Sequence, residues 1–396
     1  MPNQFLSPEG DLENYFVSEY WLIDQWIGDE LWNWGSNGYG PLGTNDTTQR
    51  NTPVNTFTGG NNWKQVSCGN YHTTAIKIDG TLWTWGRNVE VQLGTNDTTQ
   101  RNTPVTTFAG GINWKQVSCG NYHTAAIKTD GTLWTWGLNS SAQLGANNSA
   151  NQSTPVITFA GGTNWKQVSC GYKHTTAVKT DGTLWTWGFN GNGQLGTNDT
   201  NTRSTPVTTF AGGTNWKQIS CGATQTAAVK IDGTLWMWGS NFEGNLGTND
   251  TTSRNTPVTT FAGGTNWKQV ACSANHTAAI KTDGTLWTWG YSSYGSLGNN
   301  VTGSIFTPIT TFAGGINWKQ VGVGIQHTAA IKTDGTLWTW GYSYLGRLGN
   351  NTSAYAQGIL TPITIFGGGT NWKQVACGQY HTAAITSGIP ADLPLS

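Results

Sequence analysis

Charged residues are scarce in this chain of 396 residues. Only 10% of the residues are Asp, Glu, Lys or Arg, and 20 bases balance 20 acids. A nucleic-acid-binding surface needs a clustered basic footprint, so we expect no nucleic-acid partner. The chain also lacks any run of 18 consecutive apolar residues, and no basic residue precedes Arg50. These two absences predict no membrane insertion and no N-terminal targeting peptide.

Paired cysteine motifs are also missing. The six cysteines occur one per VSCG-like stretch, and no C-x-x-C is present. Valine stands at the equivalent position Val323, so the position accepts a small buried side chain and does not need a thiol. We therefore predict free, buried thiols in a protein synthesised in a reducing cytoplasm. The six are Cys68, Cys119, Cys170, Cys221, Cys272 and Cys377.

Catalytic motifs are absent as well. The sequence contains no P-loop, no G-x-S-x-G and no H-E-x-x-H. The six histidines share one repeat position and could form a metal-binding ring, but Gln225 interrupts that ring, which favours a structural role. Aspartates that precede glycine, such as Asp130, suit tight turns and not acid–base chemistry. We therefore predict a protein that is not an enzyme and has no cofactor or metal.

Repetition is what the sequence has in abundance. The phrase LW-x-WG begins at Leu31 and returns every 51 residues up to Leu337, which gives seven copies. The phrase NWKQ also occurs seven times, from Asn62 to Asn371. A period of this length indicates a repeat architecture.

One repeat, residues 113–163, divides into four short strand-like runs separated by turn residues. Four short strands in a meander, repeated seven times, predict an all-β, seven-bladed β-propeller. A solenoid is the alternative, but it would need distinct capping repeats. The chain begins with the third and fourth strands of a repeat and stops after the first and second. These half-repeats predict a ring closed by one blade built from both, which removes the exposed sheet edges.

Paired tryptophans supply the predicted contacts between blades. Trp134 and Trp136 share one face of a strand, because strand side chains alternate. We expect that face to pack against the next blade and to bury much of its aromatic surface. Structural packing is therefore favoured over a binding role for these tryptophans.

The stretch GNYHTAAIKTDGTLWTWGLNSSAQLG (residues 120–145) places Gly-x-x-His-Thr, Asp-Gly, Trp-Gly and Gln-Leu-Gly in series. This pattern resembles the regulator-of-chromosome-condensation repeat family, especially microbial and viral members with near-identical repeats. The resemblance covers residues 31–386 and implies a seven-bladed propeller closed between the chain ends. It implies no single function, because family members include a guanine-nucleotide exchange factor, a UV-B photoreceptor and a β-lactamase inhibitor.

Two departures narrow what the resemblance implies. The exchange factor carries a wedge-like insertion and basic tails, whereas these repeats are nearly uniform, with one expansion of three residues near 354–358. The photoreceptor places Trp and Arg just before the His-Thr pair in several blades, but no tryptophan occupies those positions here. Neither nucleotide exchange nor UV sensing is therefore favoured.

Two windows differ between repeats while their flanks stay constant: the pair before His-Thr, and the six residues after Trp-Gly. Loops on a rigid scaffold carry recognition, and aromatic-rich loops suit a protein or glycan partner. Drift at unconstrained positions is an equally weighted alternative. The predicted partner-binding residues are Tyr39, Tyr71, Tyr122, Tyr172, Phe189, Phe242, Tyr291, Tyr294, Tyr342 and Tyr344.

The N-terminal extension, residues 1–30, lies outside the repeats, as does a short C-terminal tail at 387–396 beyond the predicted propeller at 31–386. The extension holds seven acids and no base. Its apolar spacing predicts a short amphipathic helix, which would bury its face on the propeller or anchor the chain in another protein. The predicted anchor residues are Leu12, Phe16, Tyr20, Trp21, Ile23, Trp26 and Ile27.

Together these features predict a non-enzymatic structural or adhesion propeller. The favoured hypothesis is a component of a viral (tailed-phage) particle or surface assembly, synthesised in the cytoplasm. It would be anchored to particle subunits through residues 1–30 and would bind a host-surface protein or glycan through the blade loops. The alternative is a soluble, cytoplasmic protein-binding propeller that acts as an inhibitor or scaffold, or, least favoured, as an exchange factor.

Overall fold

A computed structural model describes residues 29–57, 60–353 and 358–388. These residues form seven four-stranded antiparallel sheets in a ring, which confirms the predicted seven-bladed β-propeller. The predicted anchor residues, Leu12 to Ile27, lie outside the described residues. No helix in the described part of the chain is long and apolar enough to cross a membrane.

Blades 1 to 6 each consist of four consecutive strands. Their bounds, in chain order, are β3 Trp63–Cys68, β4 His72–Lys77, β5 Leu82–Gly86 and β6 Arg101–Thr106; β7 Trp114–Cys119, β8 His123–Lys128, β9 Leu133–Gly137 and β10 Gln152–Ile157; β11 Trp165–Cys170, β12 His174–Lys179, β13 Leu184–Gly188 and β14 Arg203–Thr208; β15 Trp216–Cys221, β16 Gln225–Lys230, β17 Leu235–Gly239 and β18 Arg254–Thr259; β19 Trp267–Cys272, β20 His276–Lys281, β21 Leu286–Gly290 and β22 Ile305–Thr310; β23 Trp318–Val323, β24 His327–Lys332, β25 Leu337–Tyr342 and β26 Gly358–Thr364. A single 3₁₀ turn, Tyr344–Gly346, lies between β25 and β26 among the described residues.

The closing blade is assembled from both ends of the chain, as the half-repeats predicted. Its strands are β27 (Trp372–Cys377), β28 (His381–Thr386), β1 (Glu30–Gly35) and β2 (Arg50–Asn55), in that spatial order. Strands β1 and β28 pair in register from Glu30 opposite Thr386 to Gly35 opposite His381. Backbone hydrogen bonds therefore join the two ends of the chain.

The first strand of each blade lies nearest the ring axis, because first strands of neighbouring blades contact one another. Within a blade the strands alternate in direction, so two sets of loops share one face of the ring. We call the face with the first-to-second and third-to-fourth loops the top face. The bottom face carries the turns between second and third strands and the connections between blades.

The Asp-Gly turns on the bottom face follow directly from residue chemistry. Gly80 has a φ of 82°, and a Cβ there would collide with the carbonyl of Ile112. The Asp79 carboxylate accepts hydrogen bonds from the backbone N–H and the hydroxyl of Thr81, at 2.9 and 2.7 Å. These bonds lower the pKa of Asp79. The predicted turn role of these aspartates is confirmed.

The fourth strand of each blade contains a proline. In blade 2 it starts at Gln152, with an irregular register between Gln152 and Val156, and Pro155 lies inside the strand and not at its start. The strand tolerates proline because it is the outer edge of the sheet, where one N–H per pair of residues faces away from the ladder.

Tryptophan packing joins each blade to its neighbour. Trp136 of blade 2 is fully buried against Ile76 and Leu82 of blade 1, with Trp134 partly buried at the edge of this cluster. The Trp136 indole N–H also donates to the carbonyl of Gln92 in blade 1 at 2.9 Å. The expected contact with the next blade is therefore wrong in direction. Alternation places both tryptophans on one face, but it does not fix which neighbour that face meets.

Glutamines of the NWKQ phrase join the first strands around the axis. The Gln65 amide donates to the carbonyl of Val117 at 3.1 Å, and its oxygen accepts the N–H of Val117 at 3.0 Å. Gln374 makes the same pair of bonds to Val66 across the closing junction, at 3.3 and 3.2 Å. Inner strands that share no sheet are thereby hydrogen-bonded through side chains, which satisfies buried backbone groups.

We expect Trp136→Ala to lower the free energy of unfolding by about 3–5 kcal/mol, because it removes a buried indole and leaves a cavity between two blades. Urea denaturation measured by circular dichroism would show this. The matched control is Phe159→Ser, which alters a side chain that is 62% exposed and should change stability by less than about 0.5 kcal/mol. Equal effects of the two substitutions would contradict the role of Trp136 in packing blade 2 against blade 1.

Candidate functional site

Both variable windows lie on the top face of the ring. Tyr71 follows a first strand and Tyr39 follows a third strand, and these two kinds of loop project from the same face. The two rings meet edge to face, with centroids 5.0 Å apart, although Tyr39 belongs to the closing blade and Tyr71 to blade 1. The structure therefore brings together residues that the sequence separated into two windows.

Arg87 of blade 1 is the centre of the first half of this site. Its guanidinium carbon lies 5.2 Å from the ring centroid of Tyr39 and 5.9 Å from that of Tyr71. A third ring, Tyr122 of blade 2, lies 5.4 Å away. Glu90 holds the guanidinium through two hydrogen bonds of 2.7 and 3.0 Å, which raise the pKa of Arg87. One arginine thus contacts aromatic rings from three blades.

Arg347 of blade 6 is the centre of the second half. Its guanidinium carbon lies 5.0 Å from the ring centroid of Tyr342 and 5.1 Å from that of Tyr380. The residue is fully buried, and this burial lowers the pKa of Arg347 to about 10. No ion pair joins it to an acidic residue within the described ranges. Its Nε donates instead to the carbonyl of Tyr344 at 2.8 Å.

Stacked tyrosines connect the two halves. Tyr71 stacks on Tyr380 with centroids 5.6 Å apart, and Tyr294 of blade 5 stacks on Tyr342 at 4.1 Å. Burial and the neighbouring phenols raise the pKa of Tyr71 to about 12, so the phenol stays neutral at physiological pH. We call the connected set the top-face cluster: Tyr39, Tyr71, Arg87, Tyr122, Tyr294, Tyr342, Tyr344, Arg347 and Tyr380.

Four predicted residues stay outside the top-face cluster. No ring contact joins Tyr172, Phe189, Phe242 or Tyr291 to it among the described residues. Phe242 is highly exposed on its own loop, and Tyr172 lies beside the ring axis. Tyr380, Arg87 and Arg347 were not among the predicted residues. Each lies in one of the two variable windows, so counting basic residues together with aromatic ones would have found the arginines.

The ring axis offers little room for a small ligand at the top face. The opening there has a volume of about 90 Å³ and is lined by the ends of the seven first strands. Sites for small organic ligands typically enclose roughly 300–1,000 Å³. The arrangement therefore suits contact with a macromolecular surface better than enclosure of a small molecule.

The histidines join blades. His72 Nε2 lies 3.0 Å from the Thr124 hydroxyl of the next blade, and that hydroxyl donates to the carbonyl of Gln92 at 2.9 Å. Because the threonine proton is already used, the histidine must donate through Nε2–H. Gln225 also bonds to the next blade, but it donates to the backbone carbonyl of Ser273 and not to a threonine hydroxyl. No cluster of three or more metal-ligating side chains occurs within the described ranges.

A ring of exposed phenylalanines on the bottom face was not predicted. Each blade contributes one phenylalanine just after its fourth strand, and their side chains are 57–66% exposed. The seven are Phe57, Phe108, Phe159, Phe210, Phe261, Phe312 and Phe366.

The chain matches models of a known protein family along most of its length. Residues 27–260 match the RCC1-like domain, and residues 283–331 and 334–385 match the Regulator of chromosome condensation (RCC1) repeat. The chain belongs to the RCC1 repeat family. It is 35% identical over 331 residues to the ultraviolet-B receptor UVR8 of Arabidopsis thaliana, covering 81% of this chain and 74% of the receptor.

A second relative is much longer than this chain. The chain is 27% identical over 373 residues to the E3 ubiquitin-protein ligase HERC2 of Homo sapiens, covering 91% of this chain and 8% of the ligase. Two solved structures share the fold. Prp20p from Saccharomyces cerevisiae has a TM-score of 0.80 at 18% identity, covering 93% of this chain and 95% of that one. Human WBSCR16 has a TM-score of 0.77 at 22% identity, covering 90% and 99%.

Burial of the histidines predicts acid sensitivity. Burial lowers the pKa of His72, His123, His174, His276 and His381 to about 3 each. In the unfolded chain a histidine titrates near 6.5, so only the unfolded state takes up protons between these values. Stability is therefore complete above about pH 6.5 and falls as the pH is lowered, by up to about 3 kcal/mol per histidine at pH 4.5. Urea denaturation between pH 7 and pH 4.5 measures this decline.

The control is His123→Gln, a replacement that the chain itself uses at Gln225. Below about pH 6.5 the unfolded variant should take up about one proton fewer than the unfolded original. The free energy of unfolding should therefore decline less steeply as the pH is lowered. An unchanged slope would show that His123 does not contribute to the decline.

Proposed function

We propose that this chain is a non-enzymatic propeller that binds a protein through the top-face cluster. The observation that carries the proposal is the convergence of seven tyrosines and two arginines from five blades on one face. Tyrosine and arginine are enriched among the residues that dominate protein–protein binding energy. The cluster also uses residues of the closing blade and of blades 1, 2, 5 and 6, and none of blades 3 and 4. It therefore distinguishes blades that are otherwise nearly identical.

Rigidity of the cluster supports its role as a contact surface. The rings stack on one another and on the arginines, so their rotamers are restricted before a partner arrives. Preorganised side chains lose less conformational entropy on binding. Buried Arg347 packs against Tyr342 and Tyr380 from within the cluster, so it fixes these rings in place and is not itself exposed to a partner.

Related propellers with protein partners give associational support. The structure of Prp20p was described together with its binding to Gsp1p and histones, and yeast RCC1 (Prp20) was solved bound to Kap60. These partners are not transferred to this chain, because the identities of 18% and 17% support the fold alone. Ligase activity is not proposed either, since the chain matches only 8% of HERC2.

A narrower role as a virion or adhesion component stays a hypothesis. It depended on the predicted anchor at residues 1–30, of which only Asp29 and Glu30 are described. The related proteins named above do not support it. The alternatives of an inhibitor or scaffold differ from it in partner and location, and both would use the same top-face contact.

Affinity capture from the native source, followed by affinity measurement on the captured protein, tests the proposal. We expect the double substitution Tyr71→Ala/Arg87→Ala to weaken binding at least about 30-fold, because it removes a central aromatic ring and the guanidinium that orders three others. Thermal denaturation of the variant should confirm that the propeller remains folded.

Two matched controls separate the top-face cluster from other surfaces. Phe189→Ala alters a top-face loop outside the cluster, and Phe159→Ser alters the bottom-face phenylalanine ring. Both should leave the affinity within about threefold of the original. If the bottom-face variant loses binding and the cluster variant does not, the proposed binding face is wrong.

A further inference from the structure

Six blades share a lysine–tryptophan arrangement on the bottom face. In blade 1 the Lys77 ammonium lies 4.8 Å from the ring centroid of Trp63 and 4.9 Å from that of Trp83. Trp63 and Lys77 are opposite one another in the ladder. Across blades 1 to 6 these ammonium-to-ring distances are 4.2–4.9 Å. Each such pair of indole faces therefore holds one alkylammonium group.

The closing blade has the tryptophans but not the lysine. Trp32 and Trp372 meet edge to face with centroids 6.4 Å apart, close to the 6.3 Å of Trp63 and Trp83. The residue opposite Trp372 in the ladder is Thr386, which stands where the other blades have lysine. No lysine or arginine lies over this pair within the described ranges.

A cavity of about 370 Å³ lies beside this tryptophan pair. Trp32, Trp372, Thr386, Phe366 and Glu30 are among the residues that line it. Glu30 occupies the position of the threonine that accepts the indole N–H in other blades, as Thr81 does in blade 1 at 2.9 Å. Trp32 Nε1 consequently has no hydrogen-bond partner among the described residues, although the atom is buried.

The chain has no other lysine or arginine to place in this cavity. Residues 1–28, 58–59, 354–357 and 389–396 contain no lysine, arginine or histidine. Lys373, the nearest lysine in sequence, pairs with Asp29. A cationic side chain in the cavity must therefore come from outside the described fold.

We propose that the Trp32–Trp372 cavity binds the side chain of a lysine supplied by a partner polypeptide. Two indole faces attract an ammonium group, and the Glu30 carboxylate adds an opposite charge that the other six blades lack at this position. The cavity lies on the bottom face, so this inference does not depend on the top-face proposal.

Titration of the full-length protein with Nα-acetyl-lysine N-methylamide, followed by NMR of the indole N–H groups, tests the inference. The Trp32 resonance, assigned through Trp32→Phe, should shift and saturate with a dissociation constant in the millimolar range. The same compound acetylated on Nε keeps the shape but loses the charge, and it should bind at least tenfold more weakly. Equal binding of both compounds, or no shift of Trp32, would overturn the proposal.

Substitutions within the repeat supply matched controls. Thr386→Lys introduces the lysine that the other blades carry, so it should abolish the shift and raise the thermal denaturation midpoint. Glu30→Gln should weaken binding several-fold without unfolding the protein. Lys128→Thr opens the equivalent pair in blade 2, and a second set of indole shifts, from Trp114 and Trp134, should appear. If Thr386→Lys folds and still binds the probe, the cavity is not the site.

Discussion

The contact between one blade's tryptophans and the preceding blade is the interaction on which the rest of the structure depends. A four-stranded sheet of this length cannot bury its own faces, so each blade is stable only against its neighbours. Trp136 shows how this works: its ring fills the space beside Ile76 and Leu82, and its N–H binds the carbonyl of Gln92. The histidine–threonine and glutamine bonds fix the same neighbours in register, so the loops above them have fixed positions.

The two faces of the ring use this scaffold differently. On the top face, variation between blades concentrates tyrosines and arginines around Arg87 and Arg347, whereas the bottom face repeats one phenylalanine per blade. The closing blade breaks a second bottom-face pattern, the lysine beside two tryptophans, because its second strand ends in Thr386 and its third begins at Glu30. Both places where recognition is proposed are therefore places where the repeat is not exact.

The periodicity of LW-x-WG and NWKQ was enough to predict the blade count, the strand order and the closing blade. Side-chain alternation predicted that Trp134 and Trp136 share a face, but the neighbour they meet depends on how blades stack, which no single repeat encodes. The top-face cluster was predicted in part, since aromatic residues were counted and Arg87, Arg347 and Tyr380 were not. The exposed phenylalanines and the Trp32–Trp372 cavity depend on burial and packing, which a repeat alignment alone does not reveal.

The pairing of β1 with β28 also determines how the ring would respond to tension. Glu30 lies opposite Thr386, so both ends of the propeller leave from the same end of one two-stranded seam. A pulling force applied to the two ends would act first on the Glu30–Thr386 pair. The hydrogen bonds between β1 and β28 would then break one residue pair after another, and not all at the same time. The hydrogen bonds between β1 and β28 thus hold the ring closed against thermal opening. The same strand pair is mechanically weak when the two chain ends are pulled apart.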